Sequence, residues 1–328
     1  MPVRRESGMS KNMLIALGGG GLSAAASMTF LMGSPAALVF VYLAPLPLLL
    51  VGLGLGAKAV AIAGVTGFMV AGLAGGATTA GLYGLLNALP AALVVRQALM
   101  QKPTGPAGGV QWYPVGSILG WLTVLGAGIF LTAVLASHAV GEAGLEGTVS
   151  TYLDRAFEIM APGLGETERA TVVTRFTPLF PGFVVTSWLL MTAVNGALAQ
   201  ALLVRLGHGL RPQTPLADLK LPEWMSTLLV AAAVVALLGP GELEYIGRNL
   251  VIILAVPFFF LGLAVIHALA RRLVPLTTLL AVFYFVFYIL LLITSWAIMM
   301  VAAIGLVEQW GGGLRRRFAG PDKNRENV

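Results

Sequence analysis

Two apolar stretches of the sequence contain asparagines that could hydrogen-bond a ligand inside a membrane. Asn195 lies about 15 Å of helix rise before Arg205, and Asn87 lies at a similar depth in its own stretch. Trp188, Thr192 and Asn195 recur at helical spacing and therefore share one helix face. Together with Asn87 they predict a polar small-molecule pocket near the middle of the membrane. The alternative is that the asparagines only tie helices together, at about 0.6 kcal/mol for each hydrogen bond.

Prolines near these residues predict breaks in the helix backbone. Pro90 follows Asn87, and Pro45 and Pro47 interrupt the second apolar stretch. Proline has no N–H, so each one leaves a backbone carbonyl without its helical hydrogen bond. In a membrane some other group must satisfy that carbonyl. The prolines therefore favour a central polar pocket.

The sequence offers little support for catalysis, metal binding or ATP hydrolysis. All 14 acidic residues lie in predicted loops, tails or helix ends, Glu308 being the nearest to a core position, which disfavours a carboxylate-driven transporter. The three histidines, His138, His208 and His267, lie in separate segments, and there is no Cys. The motif GLGLGAK at 52–58 only partly matches a phosphate-binding GxxxxGK[ST] loop. We therefore expect neither an enzyme nor a bound metal or other cofactor.

The composition places these residues in a membrane. The chain has 328 residues, of which 58% are hydrophobic and 10% charged, and its mean hydropathy is +0.89. The net charge of +6 fits basic loops on the cytoplasmic side and does not indicate nucleic acid binding. Apolar runs lie at 13–32, 36–56, 58–76, 78–99, 116–136, 180–205, 224–239, 249–270 and 276–307. They predict an all-α polytopic transmembrane helix bundle of about 8–10 membrane helices, surrounded by membrane lipids.

Small residues follow one face of the first and third predicted helices. The chain over 45–76 is apolar except for Lys58 and predicts two membrane helices joined by a very short turn. The small residues are Ala16, Gly20 and Ala24 in the first helix, and Ala59, Ala63, Gly67, Ala71 and Gly75 in the third. Such faces let two helix backbones approach closely. They predict helix packing within this chain or, alternatively, docking onto a partner protein in the membrane.

Charges near the ends of the apolar runs predict the topology. A cytoplasmic N-terminus places most of the Lys and Arg residues inside, as the positive-inside rule requires. We expect a cytoplasmic tail over 1–12, a single transmembrane domain over 13–310 and a basic tail over 311–328. The last apolar run would put the arginines at 315–317 outside unless it breaks near Thr294 and Ser295, returning the tail to the cytoplasm.

The segment over 137–178 is the only sizeable extracytoplasmic connection that this topology contains. Within it, one helical face is formed by Tyr152, Leu153, Ala156, Phe157 and Met160. The pattern predicts an amphipathic helix. Two roles stay open for it, a helix that rests on the membrane surface and a lid over an outward-facing pocket.

Several motifs resemble a known family. They are ALGGGGLSAAAS at 16–27, LGLGAKAVAIAG at 53–64, NGALAQ at 195–200, GLAVIH at 262–267 and GLVEQWGGGLRRR at 305–317. Their order resembles the YybS-like family of bacterial membrane proteins of unknown function, itself similar to S components of energy-coupling-factor (ECF) vitamin transporters. Glu308 stands where the resemblance leads us to expect Asp, and the chain has more helices than the six of an S component.

The resemblance implies a location in the bacterial cytoplasmic membrane and an outward-facing binding pocket. It also implies a membrane coupling protein and two ATPases as partners, contacted through the small-residue faces. Our first hypothesis is therefore a small-molecule-binding transport subunit with Asn87, Trp188, Thr192 and Asn195 in its pocket. The alternative is a non-transport membrane scaffold for envelope or complex assembly. An intramembrane enzyme is disfavoured because no pair of catalytic groups lies at matching depth.

Overall fold

The structure, a computed structural model, describes residues 10–29, 35–104, 109–140, 144–273, 282, 284–287, 289 and 295–311. The helices are α1 (Lys11–Met28), α2 (Pro35–Leu43), α3 (Pro45–Leu55), α4 (Ala57–Tyr83), α5 (Leu89–Ala98), α6 (Val115–Val140), α7 (Gly144–Met160), α8 (Glu166–Phe176), α9 (Phe180–Arg205), α10 (Trp224–Leu238), α11 (Glu242–Leu273) and α12 (Ser295–Gly311). A π-helical turn covers Gly84–Ala88, and 3-10 turns cover Thr177–Leu179 and Leu216–Asp218. Strands β1 (Gln101–Thr104) and β2 (Gly109–Trp112) form an antiparallel hairpin.

Long apolar helices dominate the described residues and confirm the all-α polytopic bundle. Within these residues, five helical segments are long and apolar enough to cross a membrane: Ala37–Leu55, Ala57–Ala98, Val115–Ala139, Glu166–Arg205 and Glu242–Arg271. Shorter apolar helices lie at Trp224–Leu238 and Trp296–Gly311. The elements follow the apolar runs because a helix satisfies its backbone hydrogen bonds within one segment, as lipid requires.

The described residues form two compact units. Unit 1 contains the described residues up to Ile118 together with Trp188–Gln213. Unit 2 contains Leu119–Ser187 and the described residues from Thr214 onward. Helices α6 and α9 each contribute residues to both units. The single transmembrane domain over 13–310 stays a prediction.

A single glycine forms the turn between α3 and α4 in unit 1. Gly56 has a φ of 101°, in the left-handed region that glycine adopts at no steric cost. The two helices then pack side by side, so that a Cβ placed on Gly52 would lie 2.9 Å from the Cβ of Val60. The very short turn that the sequence predicts is confirmed.

A second glycine folds α4 back on itself. Gly76 has a φ of 80° and a non-helical conformation inside the helix. A Cβ placed on Gly72 would lie 3.3 Å from the Cβ of Ala80, and one placed on Gly64 would lie 3.2 Å from the Cβ of Ala88. Residues equally far from Gly76 on its two sides are therefore neighbours. The 42-residue apolar segment is thus an antiparallel hairpin of two helices, as the runs at 58–76 and 78–99 predict.

Helix α1 packs against α4 through small residues. Ala16, Gly20 and Ala24 are buried in α1, and Ala63 is buried in α4. A Cβ on Gly20 would overlap the carbonyl oxygen of Ala63, so only glycine allows this approach. Close contact of this kind stabilises helix pairs in membranes through van der Waals packing.

Glycines also allow a close helix contact in unit 2. A Cβ on Gly262 of α11 would overlap the carbonyl oxygen of Val301, and one on Gly305 of α12 would overlap that of Phe258. Both glycines begin motifs on which the family resemblance rests, GLAVIH and GLVEQW. These motifs therefore hold α11 and α12 together.

The segment between α6 and α9 contains two packed helices. Leu153 of α7 and Val173 of α8 are buried, and the Nε of Arg169 donates to Oδ1 of Asp154 at 2.8 Å. Tyr152 is exposed on α7. A helix is thus present where the sequence predicts an amphipathic one, and its role as a membrane-surface helix or a lid stays a prediction.

Some predictions fall outside the described residues. These are the first nine residues of the N-terminal tail, the basic tail from 312 to 328 with its arginines at 315–317, and the break at Thr294. The described part of the last apolar run is α12, which begins at Ser295.

Candidate ligand-binding site

The α-helical hydrogen bonding is interrupted between α2 and α3 at Ala44, directly before Pro45, while Ala44 keeps helical φ and ψ angles of −55° and −37°; this interruption is called the break below. The last carbonyls of a helix have no partner within it, and two of them are satisfied here by side chains. The Ser23 hydroxyl donates to the Ala44 carbonyl oxygen at 2.7 Å. The Nδ2 of Asn195 donates to the Tyr42 carbonyl oxygen, also at 2.7 Å. Side chains of α1 and α9 therefore support the break that the prolines predict.

A similar arrangement is found at Pro90. Because proline lacks an N–H, it cannot donate to the carbonyl of Leu86, one helical turn earlier. The indole Nε1 of Trp188 donates to this carbonyl oxygen at 2.9 Å. The π-helical turn just before Pro90 contains Asn87, which is 8% exposed. Trp188 thus supplies the hydrogen bond that the proline cannot make.

Asn195 has one bonded end and one unbonded end. Its Nδ2 donates to the carbonyl oxygens of Tyr42 and Met191, both at 2.7 Å, and these two acceptors fix the orientation of the amide. Its Oδ1 is buried and has no hydrogen-bond partner among the described residues. A buried polar atom without a partner typically costs about 1–3 kcal/mol. The oxygen is therefore an acceptor with unused capacity.

An open groove of about 250 Å³ lies beside Asn195. The other residues that line it are Tyr42, Leu43, Leu190, Met191, Val194 and Leu198. They belong to α2 and α9, so the groove lies along the C-terminal end of α2. Ligand sites are typically concave and apolar, with a few polar groups that fix orientation. The groove shares the apolar lining of such sites, with Asn195 as its amide, but it is open and smaller than their roughly 300–1,000 Å³.

The four predicted pocket residues occupy different places in unit 1. Trp188, Thr192 and Asn195 lie on one face of α9, and the buried Thr192 hydroxyl donates to the Trp188 carbonyl oxygen at 2.9 Å. Of the four, only Asn195 lines the groove. Pocket roles for Asn87, Trp188 and Thr192 stay predictions.

Sequence reasoning misses a polar link inside unit 1. The Tyr83 hydroxyl donates to the Ser23 hydroxyl at 2.9 Å, and Ser23 donates in turn to the Ala44 carbonyl. Ser23 lies beside Ala24 in the small-residue face, and this position is the only sequence signal for it. The link joins α4 and α1 to the break between α2 and α3.

Sequence reasoning also misses a third buried asparagine, Asn249 on α11 of unit 2, which is 0% exposed. Its Nδ2 donates to the carbonyl oxygens of Pro178 and Tyr245, both at 2.9 Å. Its Oδ1 accepts the N–H of Gly182 at 2.7 Å. In a regular α-helix the Gly182 N–H would donate to the Pro178 carbonyl, four residues earlier. Here the Asn249 amide bonds to both groups instead. Asn249 therefore anchors α11 to the start of α9.

Arg211, which lies outside the membrane-spanning segments, links three elements of unit 1. Its Nη1 donates to the Ala98 carbonyl oxygen at 3.2 Å, and its guanidinium carbon lies 5.9 Å from the ring centroid of Trp112. Gln200 Nε2 donates to the Arg211 carbonyl oxygen at 2.6 Å. Burial lowers the pKa of Arg211 from its ordinary value, and an arginine still stays charged. The cation lies at the C-terminal end of α5, where the helix dipole favours it.

The residues predicted to contact a partner protein are mostly covered by the chain itself. Seven residues of this set are buried: Ala16, Gly20, Ala24, Ala59, Ala63, Gly67 and Ala71. Gly75 is exposed near the tip of the α4 hairpin. The packing partner of these faces within unit 1 is the chain itself, and docking onto another protein stays a prediction. In the described ranges no group of three or more His, Asp or Glu side chains could hold a metal ion.

Taken together, the apolar helices, the glycine turns and the buried amides define a polytopic α-helical membrane protein. A family model described as predicted membrane protein, DUF2232, matches residues 21–308. The protein belongs to this family. No curated protein and no solved structure matches the chain.

Proposed function

We propose that the protein is a small-molecule-binding subunit of a membrane transport system, with the groove beside Asn195 as its binding site. The observation that carries the proposal is the buried Oδ1 of Asn195, which lacks a hydrogen-bond partner among the described residues. The amide is held in place by two carbonyls, and a ligand donor would remove the cost of the unpaired oxygen once the side chains that cover this oxygen move aside. The role is one of binding and not of catalysis.

The resemblance to the YybS-like family and to ECF S components supports transport as the purpose of binding. With it we propose a location in the bacterial cytoplasmic membrane and a cytoplasmic N-terminus. A membrane coupling protein with two ATPases would then supply the energy. Because the small-residue faces of α1 and α4 are largely buried within this chain, such a partner would contact other surfaces.

The test is native mass spectrometry of the protein extracted in mild detergent, with Asn195→Leu as the variant and Gly196→Ala as its control. A Cβ on Gly196 meets nothing within 4 Å, so the control leaves the site unchanged. We expect a small molecule bound to the wild type and to Gly196→Ala and absent from a folded Asn195→Leu. Equal occupancy in Asn195→Leu would overturn the assignment of the site.

The same experiment addresses the alternative of a membrane scaffold. Recovery of a coupling protein with paired ATPases supports the transport subunit. Recovery of envelope proteins, with neither ATPase nor small molecule, supports the scaffold. The scaffold has less support, because the small-residue faces that favour it are mostly covered inside unit 1.

A further inference from the structure

The C-terminal ends of three helices meet at one end of unit 1. Nη1 of Arg211, in the loop that follows α9, donates to the carbonyl oxygen of Ala98 at the end of α5. A Cβ placed on Gly54, near the end of α3, would lie 3.1 Å from Cδ2 of Leu203 in α9. The ends of α3, α5 and α9 are therefore neighbours.

Basic residues collect at this end. Arg205 is the last residue of α9, and Arg96 lies in the last turn of α5. Lys102 follows α5 in strand β1. Lys58 lies at the start of α4, just after the glycine turn that ends α3. These cations come from separate parts of the sequence and are brought together by the packing of the helices.

Helix α1 brings its N-terminal lysine to the same end. Gly20 of α1 packs against Ala63 of α4, and Ser23 bonds to a tyrosine hydroxyl that packs against Gly67. The step from Gly20 to Ser23 in α1 thus corresponds to the step from Ala63 to Gly67 in α4, so the two helices run parallel. Lys11, the first residue of α1, lies at the end where α4 begins.

The described residues of unit 1 contain no acidic residue to neutralise these cations. Their Lys and Arg residues all lie at this end. Apart from Arg211 they are exposed, and they form no ion pair with another described residue. An unneutralised cluster of exposed cations attracts an anionic partner. We name this surface the basic end, which consists of Lys11, Lys58, Arg96, Lys102 and Arg205.

The depth of the basic end identifies the anion that lies nearest to it. Lys58 and Arg96 lie within three residues of the ends of one membrane-length segment, and Arg205 is the last residue of another. Hydrocarbon ends where such segments end, and long basic side chains there extend into the headgroup layer. Trp112 lies three residues before the next membrane-length segment, and tryptophan is enriched at this level. The anions within reach are therefore phospholipid headgroups.

We propose that the basic end of unit 1 binds anionic phospholipid headgroups. It prefers a headgroup with net negative charge, such as phosphatidylglycerol, to zwitterionic phosphatidylcholine, whose ammonium group opposes the cations. Each basic side chain near the membrane surface adds to this binding, and salt weakens it by screening. The proposal depends neither on the groove beside Asn195 nor on a transport role.

The experiment titrates the full chain, delipidated in mild detergent, with each of the two lipids and counts the retained lipids by native mass spectrometry. The variant carries Lys58→Gln, Arg96→Gln and Arg205→Gln together. We expect the wild type to retain phosphatidylglycerol at least about five-fold better than phosphatidylcholine, and the variant to retain both within about two-fold of each other. Added NaCl should reduce the preference of the wild type, a result that requires no variant.

A matched variant tests whether net charge alone explains the preference. Arg155→Gln, Arg175→Gln and Arg248→Gln together remove the same charge from exposed positions of unit 2. Because exposed charges beyond about 10 Å are largely screened at 0.1 M salt, we expect this variant to keep the preference of the wild type.

A second control keeps the charge and changes the side chains. Lys58→Arg, Arg96→Lys and Arg205→Lys together leave the number of cations at the basic end unchanged. We expect this variant to bind phosphatidylglycerol as the wild type does. Each variant is compared only as a monodisperse peak in size-exclusion chromatography, so that loss of folding is not read as loss of binding.

Three results would overturn the proposal. The first is equal retention of the two lipids by the wild type, and the second is an equal loss of preference in the unit 2 variant. The third is capture of a polyglutamate peptide, and not of phosphatidylglycerol, by the wild type, which would indicate an acidic protein as the partner.

Discussion

Two buried asparagines, one in each unit, make the same hydrogen bonds through their nitrogen and differ in those of their oxygen. In Asn195 of unit 1 and Asn249 of unit 2, Nδ2 donates to the carbonyl one turn earlier in its own helix and to a carbonyl elsewhere in its unit. The Oδ1 of Asn249 accepts a hydrogen bond from Gly182, whereas the Oδ1 of Asn195 has no partner in the described part of the chain. Pairing of the oxygen, and not residue type, separates a structural anchor from a candidate binding group.

The largest loss of thermal stability is expected for Asn249→Leu. The substitution leaves the Gly182 N–H and the Pro178 carbonyl without the amide that bonds to both, and each buried orphan costs about 1–3 kcal/mol. Asn195→Leu removes one donor to the Tyr42 carbonyl but also removes an oxygen that is already unpaired. We therefore expect the midpoint of thermal unfolding in detergent to fall several degrees further for Asn249→Leu than for Asn195→Leu.

The measurement is the fraction of monodisperse protein that remains after heating, followed by size-exclusion chromatography. Ligand-free preparations of both variants are compared with the ligand-free wild type, so that bound ligand does not contribute to stability. Equal shifts in the two variants would mean that the two amides stabilise the fold alike, and the contrast between them would fail.

A smaller loss of stability is expected for Gly182→Ala, which disturbs the hydrogen bond between Gly182 and Asn249 at the Gly182 end. Its Cβ would lie 2.9 Å from Oδ1 and 3.3 Å from the Cα of Asn249, so the amide must shift. We expect a loss of about 1 kcal/mol, the size of one hydrogen bond. The control on the same helix is Gly196→Ala, where the added methyl group meets nothing and alanine is favoured by about 0.5–1 kcal/mol. The thermal midpoint should fall for the first and hold or rise for the second.

The smallest loss of thermal stability is expected for Trp188→Phe. The substitution keeps an aromatic ring and removes only the N–H that bonds to the Leu86 carbonyl, which is worth about 0.6 kcal/mol in a membrane. Pro90→Ala restores a backbone N–H at the position from which an α-helix would donate to Leu86. Trp188→Phe should therefore cost less in a Pro90→Ala background. A double-mutant cycle of thermal midpoints measures the difference, and strict additivity would show that Trp188 does not replace the missing proline bond.

Most of the helices of this fold can be predicted from hydropathy. The apolar runs over 58–76 and 180–205 correspond closely to helices, because a chain in lipid must satisfy its backbone hydrogen bonds locally. Proline positions also predict that free carbonyls exist near the candidate site. Their partners cannot be predicted in the same way, since Asn195 and Tyr42 are 153 residues apart in sequence.

The distinction between the two asparagines is not visible in the sequence at all. Asn195 and Asn249 both occur in or at the edge of an apolar run, and both satisfy the carbonyl of their own helix. Whether the oxygen is paired depends on Gly182, which is 67 residues from Asn249 and reaches it only after the helices have packed. A sequence pattern can therefore nominate a buried amide, and only the three-dimensional contacts assign its role.

The hairpin at Gly76 has a consequence for how the chain is inserted during biosynthesis. Its tip, residues 73–78, is exposed and carries no charge, whereas Lys58 and Arg96 are exposed near its two ends. Carrying this uncharged tip across the hydrocarbon requires no desolvation of an ion, so the two helices can enter as one unit with both cations on the same side of the bilayer. The two helices of the hairpin together cross the membrane an even number of times. A variant that straightened Gly76 into one long helix would change that parity and invert the orientation of every later helix.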